Sequence, residues 1–262
     1  MCKDCGCGGG HAHSHSHTHV RADGTVYTHD HHGEAPHDHA KTPVTVKLEQ
    51  AILSANDAAA AANRVWFAAR GIVALNLISS PGSGKTRLLE KTLEFLSEKG
   101  IPCAVLVGDQ YGEADAVRLK RFASSVTQIQ TGERCHLNAE EIMAELPHLP
   151  EGTRILFIEN VGNLVCPVAF DLGENAKIAL LSTAEGEEKP VKYPALFASA
   201  ALVLLTKMDI AEVLHWNRAE CTANVRKVNP DAKILPVSAQ SGDGMKEWFD
   251  YLIQYIKKGE NQ

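Results

Sequence analysis

Ser79-Ser80-Pro81-Gly82-Ser83-Gly84-Lys85-Thr86 separates an apolar run at residues 72–78 from a stretch of helical periodicity at residues 86–99. Strand, glycine-rich loop and helix are the setting in which the pattern G-x-x-x-x-G-K-S/T wraps a phosphate. Gly82 and Gly84 let the backbone close on phosphate oxygens with its N–H groups turned inward. Ser83 and Arg87 flank them and count with the nucleotide-binding residues. Lys85 supplies a charge to the β and γ phosphates, and Thr86 a hydroxyl to Mg²⁺. Ser79 stands where the pattern has its first glycine, which a turn tolerates unless it demands positive φ. The context weighs against a tight turn without a ligand, and leaves an ATPase of similar fold as the rival.

From this loop outward, strands and helices alternate. Strands are predicted at 103–107, 126–129, 155–158, 177–181, 201–205 and 234–237, and helices at 113–122, 138–146, 210–227 and 244–257. That order predicts an α/β fold, a mostly parallel sheet flanked by helices. Upstream, Leu48, Ile52, Ala55, Ala59, Ala62 and Trp66 recur at helical spacing over 44–70, with Gly71 as a C-terminal cap. Such a stripe packs on the following domain more often than it binds a partner. Three segments result: a Cys/His-rich tail at 1–40, a helix at 41–71 and a nucleotide-binding domain at 72–262.

Three further stations specify the nucleotide and its sensing. The predicted strand 201–205 runs into Thr206-Lys207-Met208-Asp209, close to the guanine-reading N-K-x-D. Lys207 lays its stem along the base, and Asp209 accepts from the guanine N1–H and amino group, a pattern adenine lacks. Thr206 in place of Asn is expected to loosen the loop clamp. Ser238-Ala239 after the last strand resembles a base-supporting element, so GTP is the expected nucleotide. A solvated strand-end pair is the plainer reading of Lys207 and Asp209. Asp109, after the second strand, is a Mg²⁺ ligand direct or through water, or else a turn residue. Glu159-Asn160-Val161-Gly162 offers Glu159 to the metal side and the Gly162 N–H to the γ-phosphate. Lys85, Thr86, Asp109 and Glu159 form the expected catalytic set. No water-positioning residue or arginine finger stands out, so slow intrinsic hydrolysis is expected.

Metal-ligand chemistry appears twice. Cys135-His136 follows one strand and Cys166 follows Gly162, so loops at adjacent strand ends bring two thiolates and an imidazole together. Such a set suits Ni²⁺ or Zn²⁺; core cysteines are the alternative. Movement of the 159–162 loop would drag Cys166 with it. Cys2-x-x-Cys5-Gly6-Cys7 places three thiolates in six residues. A redox C-x-x-C normally opens a helix in a folded domain, so metal is the favoured reading here. His11, His13, His15, His17 and His19 alternate with small polar residues and a second group holds His29, His31, His32, His37 and His39, a composition that buffers Ni²⁺ or Zn²⁺ and cannot build a core, so the tail is expected to be disordered or organised by metal. Cys103 reads as core, Cys221 as a helix residue, and His148 and His215 as ordinary surface or helix residues.

The formal net charge of −6 argues against nucleic acid, and no apolar stretch reaches membrane-spanning length. The segment Met1-Cys2-Lys3-Asp4-Cys5 lacks the apolar centre of a signal peptide, which points to a cytoplasmic protein with reduced thiols.

The Cys2-x-x-Cys5-Gly6-Cys7 element, the histidine tract, the 79–86 loop, Gly108-Asp109-Gln110, Cys135-His136-Leu137 and Glu159-Asn160-Val161-Gly162-Asn163-Leu164-Val165-Cys166-Pro167 occur in that order. The set resembles the HypB family of hydrogenase nickel-incorporation proteins over nearly the whole chain. The resemblance implies a SIMIBI-class P-loop GTPase that forms a homodimer with GTP. It implies a HypA-type nickel chaperone as partner and delivery toward the hydrogenase large-subunit precursor. It also implies a tight nickel site at Cys2, Cys5 and Cys7 and a second metal site at Cys135, His136 and Cys166, at or near the dimer interface. A nickel or zinc storage protein with a non-regulatory nucleotide domain is the alternative, and a urease-type helper a further one.

Overall fold

The structure is a computed structural model that describes residues 16–20, 26–30 and 43–259, apart from 111, 113 and 124. Cys2, Cys5, Cys7 and most of the histidine tract lie outside the described residues. Within the tail, β1 (Ser16–Val20) and β2 (Val26–Asp30) pair antiparallel, with His17 opposite His29 in register. α1 (Pro43–Arg70) crosses the boundary between the two compact units of the chain, Met1–Ala51 and Ile52–Gln262.

In the larger unit the predicted alternation is present: β3 (Val73–Ser79), α2 (Lys85–Glu98), β4 (Cys103–Asp109), α3 (Ala114–Leu119), β5 (Ser125–Gln130), α4 (Ala139–Glu145), β6 (Ile155–Glu159), α5 (Cys166–Ala169), β7 (Ala176–Ser182), α6 (Lys189–Lys192), α7 (Pro194–Ser199), β8 (Leu202–Thr206), α8 (Arg218–Val228), β9 (Lys233–Pro236) and α9 (Met245–Gly259). The seven strands β3 to β9 form one parallel sheet in the order β5-β4-β6-β3-β7-β8-β9. Every residue of β3 and β6 is buried, as a sheet covered on both faces requires. The two-residue period divides them. Val73, Leu75 and Leu77 pack with Leu89 and Leu93 of α2 and Trp248 of α9. Ala74, Leu106 and Ile158 face the other way, toward Phe67 of α1 and Ile142 of α4.

Two corrections concern helices. The stretch 210–227 is not one helix: a single 3-10 turn at Met208–Ile210 is followed by turns, and α8 begins only at Arg218. The Asn217 side chain accepts from the Glu220 N–H at 3.1 Å and caps α8, while the Trp216 indole donates to the Glu185 carbonyl at 3.0 Å and fixes the preceding turn. The short helices α5, α6 and α7 escape a periodicity search; each carries proline in its first turn, the one local start signal available.

Polar side chains of α1 hold the loops of the larger unit. Asn63 donates to the carbonyls of Ala139 at 2.8 Å and Leu172 at 3.1 Å, and Asn56 accepts from the Ala139 N–H at 2.9 Å. Gly173 has φ +85°, and a Cβ there would stand 2.6 Å from the Ala60 carbonyl oxygen. Gly173→Ala is therefore expected to destabilise the chain by at least about 2 kcal/mol, read as a lower urea midpoint at unchanged slope. A midpoint equal to wild type would show that α1 yields freely at this contact.

Candidate nucleotide and metal site

The strand order reverses around β3: β4 and β6 lie to one side and β7 to the other. Ligand crevices in open α/β sheets form at such a point, beyond the carboxyl ends of the strands. The predicted residues converge there. Register places Glu159 opposite both Leu77 of β3 and Val107 of β4. A cavity of about 460 Å³ opens above them, lined by Lys85, Thr86, Asp109, Glu159 and Gly162 among others. A second, of about 220 Å³, is lined by Gly84, Lys207, Asp209 and Ala239. Arg87 borders both. One cavity has the residues for a triphosphate, the other those for a base.

The loop 79–86 has the local geometry its sequence calls for. Gly82 and Gly84 have φ of +72° and +93°, while Ser79 is not among the positive-φ residues, so serine is unstrained there. Ser79 also has a use: its Oγ accepts from Lys85 Nζ at 2.8 Å. Thr86 Oγ1 donates to Glu159 Oε1 at 2.8 Å. Gly162 lies against the loop so closely that a Cβ would stand 3.0 Å from Pro81 Cα.

Lys85 and Glu159 are buried opposite charges. Burial pushes the Glu159 carboxyl up to about 7, against the pull of the Lys85 ammonium and the Thr86 hydroxyl. Burial likewise lowers the Lys85 ammonium below its ordinary value, with Glu159 as the main opposing influence. The Glu159 Oε2 atom is buried and has no hydrogen-bond partner among the described residues. A hard cation held by Thr86, Glu159 and Asp109 would satisfy that oxygen and favour the ionised carboxylate, so this oxygen set fits Mg²⁺.

At the base cavity Asp209 Oδ1 accepts from Ser238 Oγ at 2.5 Å, so the two predicted base residues are already joined. Lys207 adopts φ 59°, which turns the chain sharply after β8. The expectation that Thr206 loosens the clamp is corrected. Its Oγ1 donates to the Ser83 carbonyl at 2.7 Å in a buried position, tying β8 to the phosphate loop. Sequence reasoning missed Glu185, whose Oε2 accepts from Ser80 Oγ at 2.6 Å and whose Oε1 accepts from the Ser182 N–H at 3.1 Å. Its only signal is its place just beyond the carboxyl end of β7.

Donor atoms of Cys135, His136 and Cys166 lie within 4.8 Å of one another. That is close to the span of two ligands on opposite sides of one ion, with metal–sulfur bonds of about 2.3 Å and metal–nitrogen bonds of about 2.0 Å. His136 and Cys166 are buried, and the imidazole stacks on Phe170 with centroids 3.9 Å apart. Cys166 opens α5, while Cys135 and His136 lie between β5 and α4. By contrast Cys103 is buried in a core cluster, as expected, and Cys221, read only as a helix residue, is buried in another.

Hydrogen bonds join the two sites directly. Asn160, adjoining Glu159, is buried; its Oδ1 accepts from the Leu137 N–H at 3.2 Å and the Val161 N–H at 3.0 Å. Its Nδ2 donates to Asn76 Oδ1 of β3 at 3.2 Å. A second link runs from the Asp109 carbonyl, which accepts from the Thr131 N–H at 2.9 Å; Thr131 Oγ1 in turn donates to the Arg134 carbonyl at 2.8 Å. Both loops that face the phosphate cavity are thus bonded to the segment carrying Cys135 and His136.

Comparison with known proteins agrees with this layout. Residues 73–236 match the family model described as CobW/HypB/UreG, nucleotide-binding domain. The hydrogenase maturation factor HypB of Escherichia coli K12 is 49% identical over 208 residues, 79% of this chain and 71% of that protein. A crystal structure of HypB from Helicobacter pylori in complex with nickel is 36% identical with TM-score 0.74, covering 78% of this chain and 95% of that one. HypB from Archaeoglobus fulgidus is also 36% identical, with TM-score 0.73, over 78% of this chain and 99% of that one.

Proposed function

This chain belongs to the HypB family of hydrogenase maturation factors within the CobW/HypB/UreG nucleotide-binding group, and from that premise we propose that it is a GTP-hydrolysing nickel metallochaperone. It stores nickel and delivers it during nickel–iron hydrogenase maturation, with GTP state coupled to homodimerisation and metal transfer. The observation that carries this reading is the Cys135/His136/Cys166 cluster, tied through Asn160 to the loop that begins at Glu159. Ligands on that cluster and at the phosphate cavity would act on the same pair of loops.

In this reading Lys85 and the N–H groups of the 82–86 loop hold the phosphates, with Ser83 and Arg87 at their edge. Thr86, Asp109 and Glu159 would hold Mg²⁺, which would supply neutralisation of phosphate charge when bound. Gly162 gives its N–H to the γ-phosphate. Lys207, Asp209, Ser238 and Ala239 select guanine. Cys135, His136 and Cys166 take Ni²⁺ as cargo, or Zn²⁺ in its place, and Cys2, Cys5 and Cys7 form a separate nickel site. The recipients are a HypA-type chaperone and the hydrogenase large-subunit precursor, in the cytoplasm. No helix among the described residues is long and apolar enough to cross a membrane.

The test is delivery. Chain loaded with radioactive nickel is mixed with metal-free large-subunit precursor and a HypA-type partner, with GTP and Mg²⁺ or with GDP and Mg²⁺. Faster transfer with GTP is the expected result. Transfer at one rate in both mixtures would favour storage with a non-regulatory nucleotide domain.

A further inference from the structure

The sequence offers no obvious arginine finger, yet the phosphate cavity has two arginines on its wall, Arg87 on α2 and Arg118 on α3. Arg118, on α3, lines that cavity together with Lys85, Asp109 and Glu159. Its charge is among those acting on the Glu159 carboxyl. The Arg118 side chain is about half exposed, at 47%, so packing leaves it room to turn. Its one hydrogen bond among the described residues runs from Nε to Glu90 Oε1 at 3.0 Å. Asp115 Oδ1 stands 3.6 Å from Nη1, too far for a strong bond. The fork of terminal nitrogens, the part of arginine suited to phosphate oxygens, makes no hydrogen bond among the described residues and only this long ion pair to a half-exposed carboxylate.

Glu90 explains how Arg118 can leave. It is a buried carboxylate on α2, 4% exposed, and stranding it without a cation would be costly. It has a second cation: Arg87 Nη1 donates to Glu90 Oε2 at 2.9 Å. Each carboxylate oxygen thus has its own arginine, and Glu90 stays paired after Arg118 swings away.

We propose that Arg118 is a cis-acting catalytic arginine that meets the γ-phosphate during GTP hydrolysis and rests on Glu90 before nucleotide binds. The proposal rests on the GTPase reading above. In the reaction a water oxygen bonds to the γ-phosphorus as the bond from that phosphorus to the bridging oxygen breaks. The bridging oxygen leaves on GDP with the electron pair, and the water proton passes to the released phosphate. Negative charge grows on the bridging oxygen and spreads over the γ oxygens, where a guanidinium fork is worth most. An arginine supplied in cis is consistent with hydrolysis that stays slow, since such enzymes turn over at about 10⁻² per second.

The test uses the full chain as wild type, Arg118→Ala and Arg118→Lys. Single-turnover GTP hydrolysis is measured alongside the affinities for GDP and for GDP with aluminium fluoride, which mimics the transferring phosphoryl group. Expected is a fall in the hydrolysis rate of about 100- to 1,000-fold in Arg118→Ala. GDP affinity stays near wild type, aluminium fluoride no longer tightens GDP binding, and added guanidinium chloride restores part of the rate. Arg118→Lys recovers little, because an ammonium lacks the planar fork. If Arg118 only braces α2 against α3, hydrolysis and GDP affinity fall together with stability, Lys repairs all three, and guanidinium does nothing; that outcome overturns the proposal. A wild type that hydrolyses GTP beside an equally active Arg118→Ala overturns it too. A wild type that hydrolyses no GTP overturns the GTPase reading itself.

Discussion

Lys85→Ala is expected to slow GTP hydrolysis by about 100-fold or more and to weaken GTP binding more than GDP binding. Lys85 is 8% exposed and its ammonium donates to Ser79 Oγ at 2.8 Å, so its position is set before nucleotide arrives. Preorganised charge at a dry site stabilises developing phosphate charge without reorganisation in the reaction. The effect grows with the number of phosphates, because GTP brings one that GDP lacks. Titration of fluorescent GTP and GDP analogues, with single-turnover kinetics, separates the two terms. Equal loss for both nucleotides would place Lys85 at the β-phosphate alone, and hydrolysis within about threefold of wild type would remove it from the phosphates altogether.

Cys166→Ala is expected to lower nickel affinity at the domain site by about 100-fold or more, measured in a full chain that also carries Cys2→Ser, Cys5→Ser and Cys7→Ser. Removing one of three protein donors from a buried site leaves two, and a weaker chelate. Cys221→Ala is the control. That thiol is also buried, but burial pushes its pKa up to about 12, so it stays protonated and makes a poor ligand. It is expected to change stability and leave nickel binding alone. If both variants behave alike, Cys166 is core and the cluster is not a metal site.

Much of this was legible in the sequence because it is local. The phosphate loop needs its glycines, lysine and threonine within eight consecutive residues, 79–86, and all of them serve adjacent geometry. The strands were readable because a sheet covered on both faces demands continuous apolar runs such as Ile155-Leu156-Phe157-Ile158. Cys135, His136 and Cys166 converge as expected, but not from adjacent strand ends: β4 lies between β5 and β6, and the loops meet across its end. What stayed hidden depends on long-range contact. Glu185 reaches Ser80 across 105 residues, and Thr206 reaches Ser83 across 123, with no spacing rule to reveal either. The expected loosening at Thr206 fails because its hydroxyl, like the amide it replaces, reaches a phosphate-loop carbonyl that no local spacing reveals. Asn160 stands in a quoted motif, but only the fold gives its carboxamide three partners. The 210–227 stretch failed for a local reason: capping by Asn217 overrides weak helical periodicity upstream of it.

The central claim is that nucleotide and nickel are coupled through the loop from Glu159 to Cys166. The most direct test is the nickel dissociation constant of the chain with its three N-terminal cysteines replaced by serine, measured with a non-hydrolysable GTP analogue and with GDP, both with Mg²⁺. Coupling of ordinary size separates the two constants by at least about fivefold, and nickel must change the relative affinity for the two nucleotides by the same factor. Asn160→Ala, which removes the bonds to Leu137, Val161 and Asn76, should bring the ratio close to one while each ligand still binds. Equal nickel constants in both nucleotide states of the chain with Asn160 intact would contradict the account and make the cluster a structural site.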